Sequence, residues 1–163
     1  MKLIDADFNF AQRVARSALL TATNEDGQIN TMTVSWGGSG ILWGKEVCFV
    51  FVRPERYTFE FCEDGDTMSL SFFGKERRDT LALCGTKSGR DVDKFKECNL
   101  KYTMNCGACV YDDAEITVIL KKLYAQDLNE DCFESETGKS FYQNGGYHRM
   151  YICEIKEIIT AQL

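Results

Sequence analysis

Two β-prone runs joined by a tight-turn signal limit the folds open to this chain more than any other feature. Residues 18–23 and 29–36 are β-prone runs of Thr and apolar residues, and Asp26-Gly27 between them favours a hairpin turn. The segment 47–52 is apolar on both faces, as a buried strand would be. Residues 67–73, 115–123 and 147–159 supply further strands, the last two closing a barrel. The sequence predicts an antiparallel, mainly β barrel.

Short helices are expected at the periphery of this barrel. Pro54 is the only proline and suits the first turn of a helix over residues 56–62, which Asp64-Gly65 would end. Residues 75–83 and 92–97 are predicted to form two more short helices. Flexible loops are expected at residues 37–40 and 88–91, where Gly and Ser are frequent. The pattern is weak near residues 99–107, and no element is assigned there.

Composition narrows the classes of protein that remain. A length of 163 residues without repeats or low-complexity linkers predicts one domain over residues 1–163. No segment has the apolar length of a membrane span, and Asp5 and Asp7 interrupt any signal-peptide core. Eight cysteines without an export signal indicate reduced thiols and a cytoplasmic location. The net charge of −6 argues against nucleic acid as a partner.

Two groups of residues carry donors that suit a phosphate. Thr33 and Ser35 end one strand, and Arg53, Arg56 and Thr58 follow the next strand at a helix start, where free amides and the helix dipole also favour an anion. An alternative of about equal weight is that the hydroxyl groups of Thr33 and Ser35 simply face solvent on a strand.

The second group is the loop 85–90, with Lys87, Ser88 and Arg90 among glycines. It lacks the order of a Walker A loop, which leaves nucleoside triphosphate hydrolysis without support. A solvated turn is the alternative interpretation of this loop.

Three segments in chain order resemble the flavin reductase-like, or flavoredoxin, family. They are Asn-Thr-Met-Thr-Val-Ser-Trp-Gly at 30–37, Val-Arg-Pro-Glu-Arg-Tyr-Thr at 52–58 and Cys-Gly-Thr-Lys-Ser-Gly-Arg-Asp-Val-Asp-Lys-Phe at 84–95. Residues 121–124 and 148–152 also resemble the closing strands of that family. The similarity therefore extends over nearly the whole chain.

This resemblance implies a dimeric FMN-binding split β-barrel with the flavin near the subunit interface. Thr33, Ser35 and Trp36 would line the flavin site, while Arg56 and Thr58 would hold the phosphate with help from Lys87 and Ser88. Ser71 and Phe72 would approach the edge of the isoalloxazine ring. The full set of implied cofactor-binding residues is Thr33, Val34, Ser35, Trp36, Arg53, Arg56, Tyr57, Thr58, Ser71, Phe72, Lys87, Ser88 and Arg90.

The implied reaction belongs to the flavin, and no side chain is assigned as a catalytic residue. NADH or NADPH would reduce FMN, and a free flavin or another small-molecule or protein acceptor would take the electrons. Because no GxGxxG motif follows a strand, the nicotinamide would stack over the flavin. A flavoredoxin-type carrier without NAD(P)H activity is an alternative function, and a Cys-rich metal-binding or interaction module is another.

Three other features contain residue types that can bind metals or take part in catalysis. Cys106-Gly107-Ala108-Cys109 has CxxC spacing, but without a second CxxC the thiols are interpreted as incidental, with a redox dithiol or a half metal site as the alternative. His148, the sole histidine, is expected to have a structural or flavin-proximal role. Asp112, Asp113 and Glu115 are expected to be a solvated acidic loop, and no metal site is predicted.

Overall fold

The computed structural model describes residues 9–161. Its strands, in chain order, are β1 (Ala18–Thr23), β2 (Ile29–Val34), β3 (Gly37–Leu42), β4 (Lys45–Val52), β5 (Thr67–Phe72), β6 (Tyr102–Asn105), β7 (Ala108–Tyr111), β8 (Ile116–Asp127) and β9 (Arg149–Thr160). Its α-helices are α1 (Phe10–Val14), α2 (Tyr57–Asp64), α3 (Arg78–Thr86), α4 (Lys94–Glu97) and α5 (Glu136–Lys139). Short 3₁₀ turns lie at Lys75–Arg77, Glu130–Cys132 and Ser140–Tyr142.

Seven strands form one antiparallel sheet in the order β2-β1-β5-β8-β9-β4-β3. β2 and β3 are its two edges, yet only Ser35 and Trp36 connect them along the chain. An extended chain spans at most about 3.6 Å per residue, so those strand ends lie within about 11 Å of each other. The sheet must therefore curl into a barrel that is split between β2 and β3. The predicted closure of the barrel is wrong for the described residues, because the two edges do not pair.

The predicted hairpin is present as β1 and β2, and Gly27 in its turn has a left-handed φ of 77°. Successive side chains of β1 point to opposite faces, and both faces are buried. Leu20 enters the main core inside the curled sheet, whereas Leu19 enters a second core with Cys84 of α3 and Tyr111 of β7. Burial on both sides fixes β1 between the sheet interior and the elements that cover it.

Two predictions from the loop regions need correction. Residues 37–40 were expected to be a flexible loop, but they belong to β3, which pairs with β4 from Gly37 to Leu42. Backbone pairing holds this glycine-rich segment, although side-chain pattern gave no strand signal there. The region of weak pattern contains the β6–β7 hairpin, in which Cys106 and Gly107 both have positive φ at the turn. That geometry is typical of a two-residue type I′ turn.

The helices lie close to their predicted positions, with small shifts at their ends. α2 begins at Tyr57, and Pro54 lies in the preceding turn, where the amide of Arg56 donates to the carbonyl of Arg53 at 3.0 Å. The predicted helix at 75–83 is a 3₁₀ turn followed by α3. Among residues 9–161, no helix is long and apolar enough to cross a membrane.

Candidate functional site

Two clefts meet where β2, the β4–α2 corner and the end of α3 come together. We call the first, of about 340 Å³, the aromatic cleft; its lining is Met32, Thr33, Val34, Ser35, Trp36, Phe51, Arg53, Arg56, Phe141 and His148. We call the second, of about 290 Å³, the polar pocket; its lining is Asn30, Met32, Arg53, Glu55, Arg56, Tyr57, Thr58, Thr86, Lys87, Ser88, Gly89 and Lys94. Met32, Arg53 and Arg56 line both, so the two clefts adjoin.

The end of α3 is held against β2 by direct contacts. The hydroxyl of Thr33 donates to the carbonyl oxygen of Leu81 at 2.6 Å, and a side chain at Gly85 would crowd the Cβ of Thr33. Nη1 of Arg56 donates to the carbonyl oxygen of Gly85 at 2.9 Å. These contacts bring the loop with Lys87 and Ser88 beside the start of α2. The backbone thus builds the polar pocket from segments that are far apart in sequence.

Lys94 is a buried cation of the polar pocket that the sequence-based site did not include. Its Nζ donates to the carbonyl oxygens of Thr31 at 2.7 Å and Cys84 at 3.0 Å. Burial lowers the pKa of Lys94, and the nearby charge of Arg56 lowers it further. The segment 84–95, which resembles the family, contains Lys94. From the sequence alone, however, Lys94 cannot be distinguished from an ordinary exposed residue of a helix.

The polar pocket also contains a helix N-terminus and hydroxyl groups. Tyr57 and Thr58 open α2, and the amides of a first helical turn have no partner within the helix. Thr58 is buried and its oxygen accepts a bond of 2.7 Å from Nδ2 of Asn30. Arg56, Lys87 and Lys94 add positive charge around the same space. This set of donors is suited to binding a phosphate group.

The aromatic cleft has walls of exposed rings at the split of the barrel. The ring of Trp36 lies 5.2 Å from that of Phe141 and 5.0 Å from that of His148, centroid to centroid. Trp36 is 44% exposed and Phe141 is 56% exposed, which is unusual for large aromatic side chains. Arg53 donates to the carbonyl oxygen of Phe141 at 3.1 Å and links this wall to the polar pocket. Such a cleft can accept a flat, largely apolar ring system.

His148 is neutral near pH 7 in this setting. Nδ1 of His148 and the hydroxyl of Tyr142 lie 2.8 Å apart. Partial burial, with a further contribution from the charge of Arg53, lowers the pKa of His148 to about 4. His148 lines the aromatic cleft beside Trp36.

Most of the sequence-predicted cofactor residues converge on the two clefts. The aromatic cleft gathers Thr33, Val34, Ser35 and Trp36, the polar pocket gathers Tyr57, Thr58, Lys87 and Ser88, and Arg53 and Arg56 belong to both. The structure brings these residues of β2, α2 and the α3–α4 loop into one continuous region.

Three of the predicted residues lie outside the two clefts. Ser71 is fully buried, with its hydroxyl 3.1 Å from that of Thr117. Phe72 is also buried, and its ring packs edge to face against Phe10. Arg90 pairs with Glu60 and lies over the ring of Tyr57, 4.6 Å from its centre. It lines a neighbouring space of about 390 Å³ rather than the polar pocket.

The CxxC cysteines are separated by the β6–β7 turn. Cys106 is exposed at the turn, and Cys109 is buried on β7 against the second core. Burial raises the pKa of Cys109 to about 12, which keeps its thiol protonated. Within residues 9–161, no group of three or more His, Cys, Asp or Glu side chains could hold a metal ion.

Comparison with solved structures finds the same fold in flavin proteins. The chain superimposes on an FMN-binding protein from Thermus thermophilus with a TM-score of 0.70 and 18% identity, over 90% of this chain and 71% of that one. Flavoredoxin of Desulfovibrio vulgaris (Miyazaki F) matches with a TM-score of 0.70 and 16% identity, over 90% of this chain and 69% of that one. The styrene monooxygenase flavin reductase from Pseudomonas putida S12 matches with a TM-score of 0.65 and 15% identity, over 93% of this chain and 86% of that one.

No protein-family model matches the sequence, and no curated protein matches it significantly. The likeness is therefore one of fold. The chain has the antiparallel split-barrel fold of flavin-binding proteins, and the predicted fold class is confirmed.

Proposed function

We propose that this protein is an FMN-binding oxidoreductase of the flavin reductase-like type. The observation that carries the proposal is the pair of adjoining clefts, one cationic and one walled by aromatic rings, that share Arg53 and Arg56. FMN has a phosphate at one end and a flat ring system at the other. The flavin-binding proteins that share this fold, among them an FMN-binding protein and a flavin reductase, support the same assignment.

The polar pocket would hold the phosphate of FMN. Arg56 presents a planar guanidinium with further N–H groups beyond the one bonded to Gly85. Lys87 and Ser88 add an ammonium and a hydroxyl from the loop after α3, and Tyr57 and Thr58, the first two residues of α2, line the same space. A phosphate there would receive charge-assisted hydrogen bonds from this chain.

The aromatic cleft would hold the flavin ring beside Trp36, Phe141 and His148. When bound, FMN supplies the two-electron redox chemistry that no side chain of the protein provides. Thr33 has committed its proton to Leu81, so its oxygen can only accept a hydrogen bond from a ligand. His148 is neutral near pH 7 and adds no positive charge beside the ring. These residues would therefore orient the ring and limit its contact with water.

In the proposed reaction, NADH or NADPH is the electron donor and a free flavin or another acceptor receives the electrons. Anaerobic addition of NADH or NADPH to the FMN-loaded protein tests this step by loss of the visible flavin absorbance. Bleaching on the timescale of seconds to minutes is the expected result. If neither nucleotide bleaches the flavin, the reductase assignment fails and an electron carrier reduced by a protein partner replaces it.

We also propose that the protein acts as a homodimer in the cytosol. Support comes from apolar side chains exposed near the β3–β4 turn and on β8, where Trp43 lies 6.3 Å from Tyr124 and Ile41 is 67% exposed. Exposed apolar surface of this kind is typical of protein interfaces. Light scattering coupled to size-exclusion chromatography would give about twice the mass of 18.6 kDa, and a monomeric mass would contradict the proposal.

The cofactor assignment is tested by Arg56→Ala combined with Thr58→Ala. The double variant removes a charge-assisted donor and a hydroxyl from the polar pocket, and we expect FMN to bind about thirtyfold more weakly, or worse. Lys101→Ala with Thr103→Ala is the matched control, because both residues are exposed and lie outside the two clefts. Fluorescence titration gives both constants. An unchanged FMN dissociation constant in the double variant would remove the polar pocket from the proposal.

A further inference from the structure

A third cleft, of about 380 Å³, lies between α1, the end of β5 and the start of α3. We call it the basic cleft, because four cations line it: Arg13, Arg16, Lys75 and Arg78. Phe73 and Leu81, both partly buried, contribute apolar surface to the same space. Nothing in the proposed FMN site uses these residues.

Within residues 9–161, the four cations of the basic cleft differ in whether they have a partner. Arg13 forms an ion pair with Glu115, the one carboxylate in the lining. Among residues 9–161, the side chains of Arg16, Lys75 and Arg78 have no ion-pair or hydrogen-bond partner. The carboxylate of Glu76 lies nearby against Gly74 and offsets part of this charge.

The position of these cations in the fold is electrostatically unfavourable without an anion. Lys75 lies in the 3₁₀ turn before α3, and Arg78 is the first residue of α3. Positive side chains at a helix N-terminus oppose the helix dipole, whereas Glu76 and Asp79 in the same turns favour it. A bound anion would offset the positive charge of Lys75 and Arg78.

The basic cleft shares a wall with the aromatic cleft. The hydroxyl of Ser17 in the basic cleft lies 2.9 Å from that of Ser35 in the aromatic cleft. The carbonyl of Leu81, from the basic cleft, accepts the proton of Thr33 from the other side. Ser17 has a φ of 76°, so its backbone is held in a strained left-handed conformation at this junction. The two clefts therefore lie on opposite sides of the Ser17–Ser35 and Thr33–Leu81 contacts.

We propose that the basic cleft binds the adenosine-phosphate half of a nicotinamide dinucleotide, with Arg16, Lys75 and Arg78 pairing with its phosphates. The apolar surface of Phe73 and Leu81 suits the adenine ring, and the cations at the rim suit the phosphate groups. The shared wall would place the other half of the dinucleotide toward the aromatic cleft. This inference rests on the proposed function, in which NADH or NADPH is the electron donor, and it adds the residues that recognise that donor.

The test uses a double variant that carries both Lys75→Ala and Arg78→Ala. Its control is a second double variant that carries Lys96→Ala and Lys101→Ala. Both double variants change the net charge equally, and all four side chains are exposed. Calorimetric titration with NAD⁺, NADP⁺ and ADP is performed on FMN-loaded and FMN-free protein. We expect the first variant to bind these nucleotides at least about tenfold more weakly than the wild type, as loss of charge-assisted hydrogen bonds implies. The control variant should bind them as the wild type does.

FMN affinity is measured in parallel and separates this inference from the proposed function. Weaker FMN binding by Lys75→Ala with Arg78→Ala would make the basic cleft a flavin-phosphate site and overturn the inference. The inference is also overturned if the wild type binds none of these nucleotides, or if wild type and variant bind them equally. It is likewise overturned if the control variant loses as much nucleotide affinity as Lys75→Ala with Arg78→Ala. If the protein takes no FMN but ADP binding falls only in the variant, the nucleotide site stands while the proposed function fails.

Discussion

The polar pocket and the aromatic cleft adjoin at Arg53 and Arg56 but are built in opposite ways. In the polar pocket, Arg56 and Lys94 are tied to backbone carbonyls and Lys94 is buried. In the aromatic cleft, the rings of Trp36 and Phe141 are about half exposed. Hydrogen bonds to the backbone fix donors in advance of binding, whereas exposed rings are free to adjust. The difference suggests that one region sets cofactor affinity and the other leaves room for a second molecule.

Among single substitutions, the largest loss of stability and FMN affinity is expected from removal of the Lys94 ammonium in the polar pocket. Lys94→Met would leave the carbonyls of Thr31 and Cys84 without their donor, lowering the free energy of unfolding by about 2 kcal/mol or more. FMN affinity should fall about tenfold, because a cation of the polar pocket is lost. Urea unfolding and FMN titration measure these effects, with the exposed Lys101→Met as control. A variant as stable as the wild type would show that the polar pocket is not fixed in advance.

His148 tests how strongly its surroundings oppose a charge in the aromatic cleft, because burial lowers its pKa and the charges of Arg53 and Arg56 lower it further. The folded-state pKa of about 4 lies below the ordinary value of 6.5, so the unfolded chain binds more protons between these pH values. Stability should therefore fall as pH drops from 6.5 to 4. With allowance for solvent screening of a half-exposed ring, this contribution is about 1 kcal/mol.

His148→Gln removes this titration and keeps a hydrogen-bonding group near Tyr142. The difference in unfolding free energy between wild type and variant, measured by urea titration at pH 7 and pH 4.5, should shrink or reverse at the lower pH. Subtracting the unfolding free energy of the variant from that of the wild type cancels the contribution of the carboxylates, because they titrate equally in both proteins. A difference that does not vary with pH would mean that His148 is not shielded by the surrounding cleft.

The smallest loss of FMN affinity is expected from a substitution among the exposed rings of the aromatic cleft. Trp36→Ala should weaken FMN binding only about threefold to fivefold, the loss typical of one aromatic contact. Tyr102→Ala is the control, since Tyr102 is 41% exposed and lies outside both clefts. Flavin fluorescence titration compares the two. A loss from Trp36→Ala as large as that from Arg56→Ala with Thr58→Ala would contradict the division between a fixed and an adjustable region.

The sequence predicted those parts of the fold that depend on local pattern. The β1–β2 hairpin follows from the β-prone runs on either side of Asp26-Gly27, and α2 follows from the turn signals at Pro54 and Gly65. β3 was missed because its glycines give no side-chain periodicity, and its strand character comes from pairing with β4. The strand pattern alone predicted a closed barrel, because strand order is set by long-range pairing, whereas the resemblance to the flavin reductase-like family implied the split that the structure has.

The predicted site residues divide in a similar way. Thr33, Arg56 and Lys87 could be found from their chemistry and from the resembling segments, and the structure brings them to adjoining clefts. Lys94 could not, because its role depends on burial between two distant carbonyls. Phe141 lies in a region without a motif and reaches the aromatic cleft only through the fold.

The polar pocket and the aromatic cleft together are proposed to bind one FMN per chain. The visible spectrum of the purified protein, with identification and quantification of any chromophore released on denaturation, tests this proposal. We expect a yellow protein that releases FMN, or takes up added FMN, at about one per chain, with Arg56→Ala combined with Thr58→Ala losing most of it. A colourless protein that does not bind added FMN would show that the two clefts are not an FMN site.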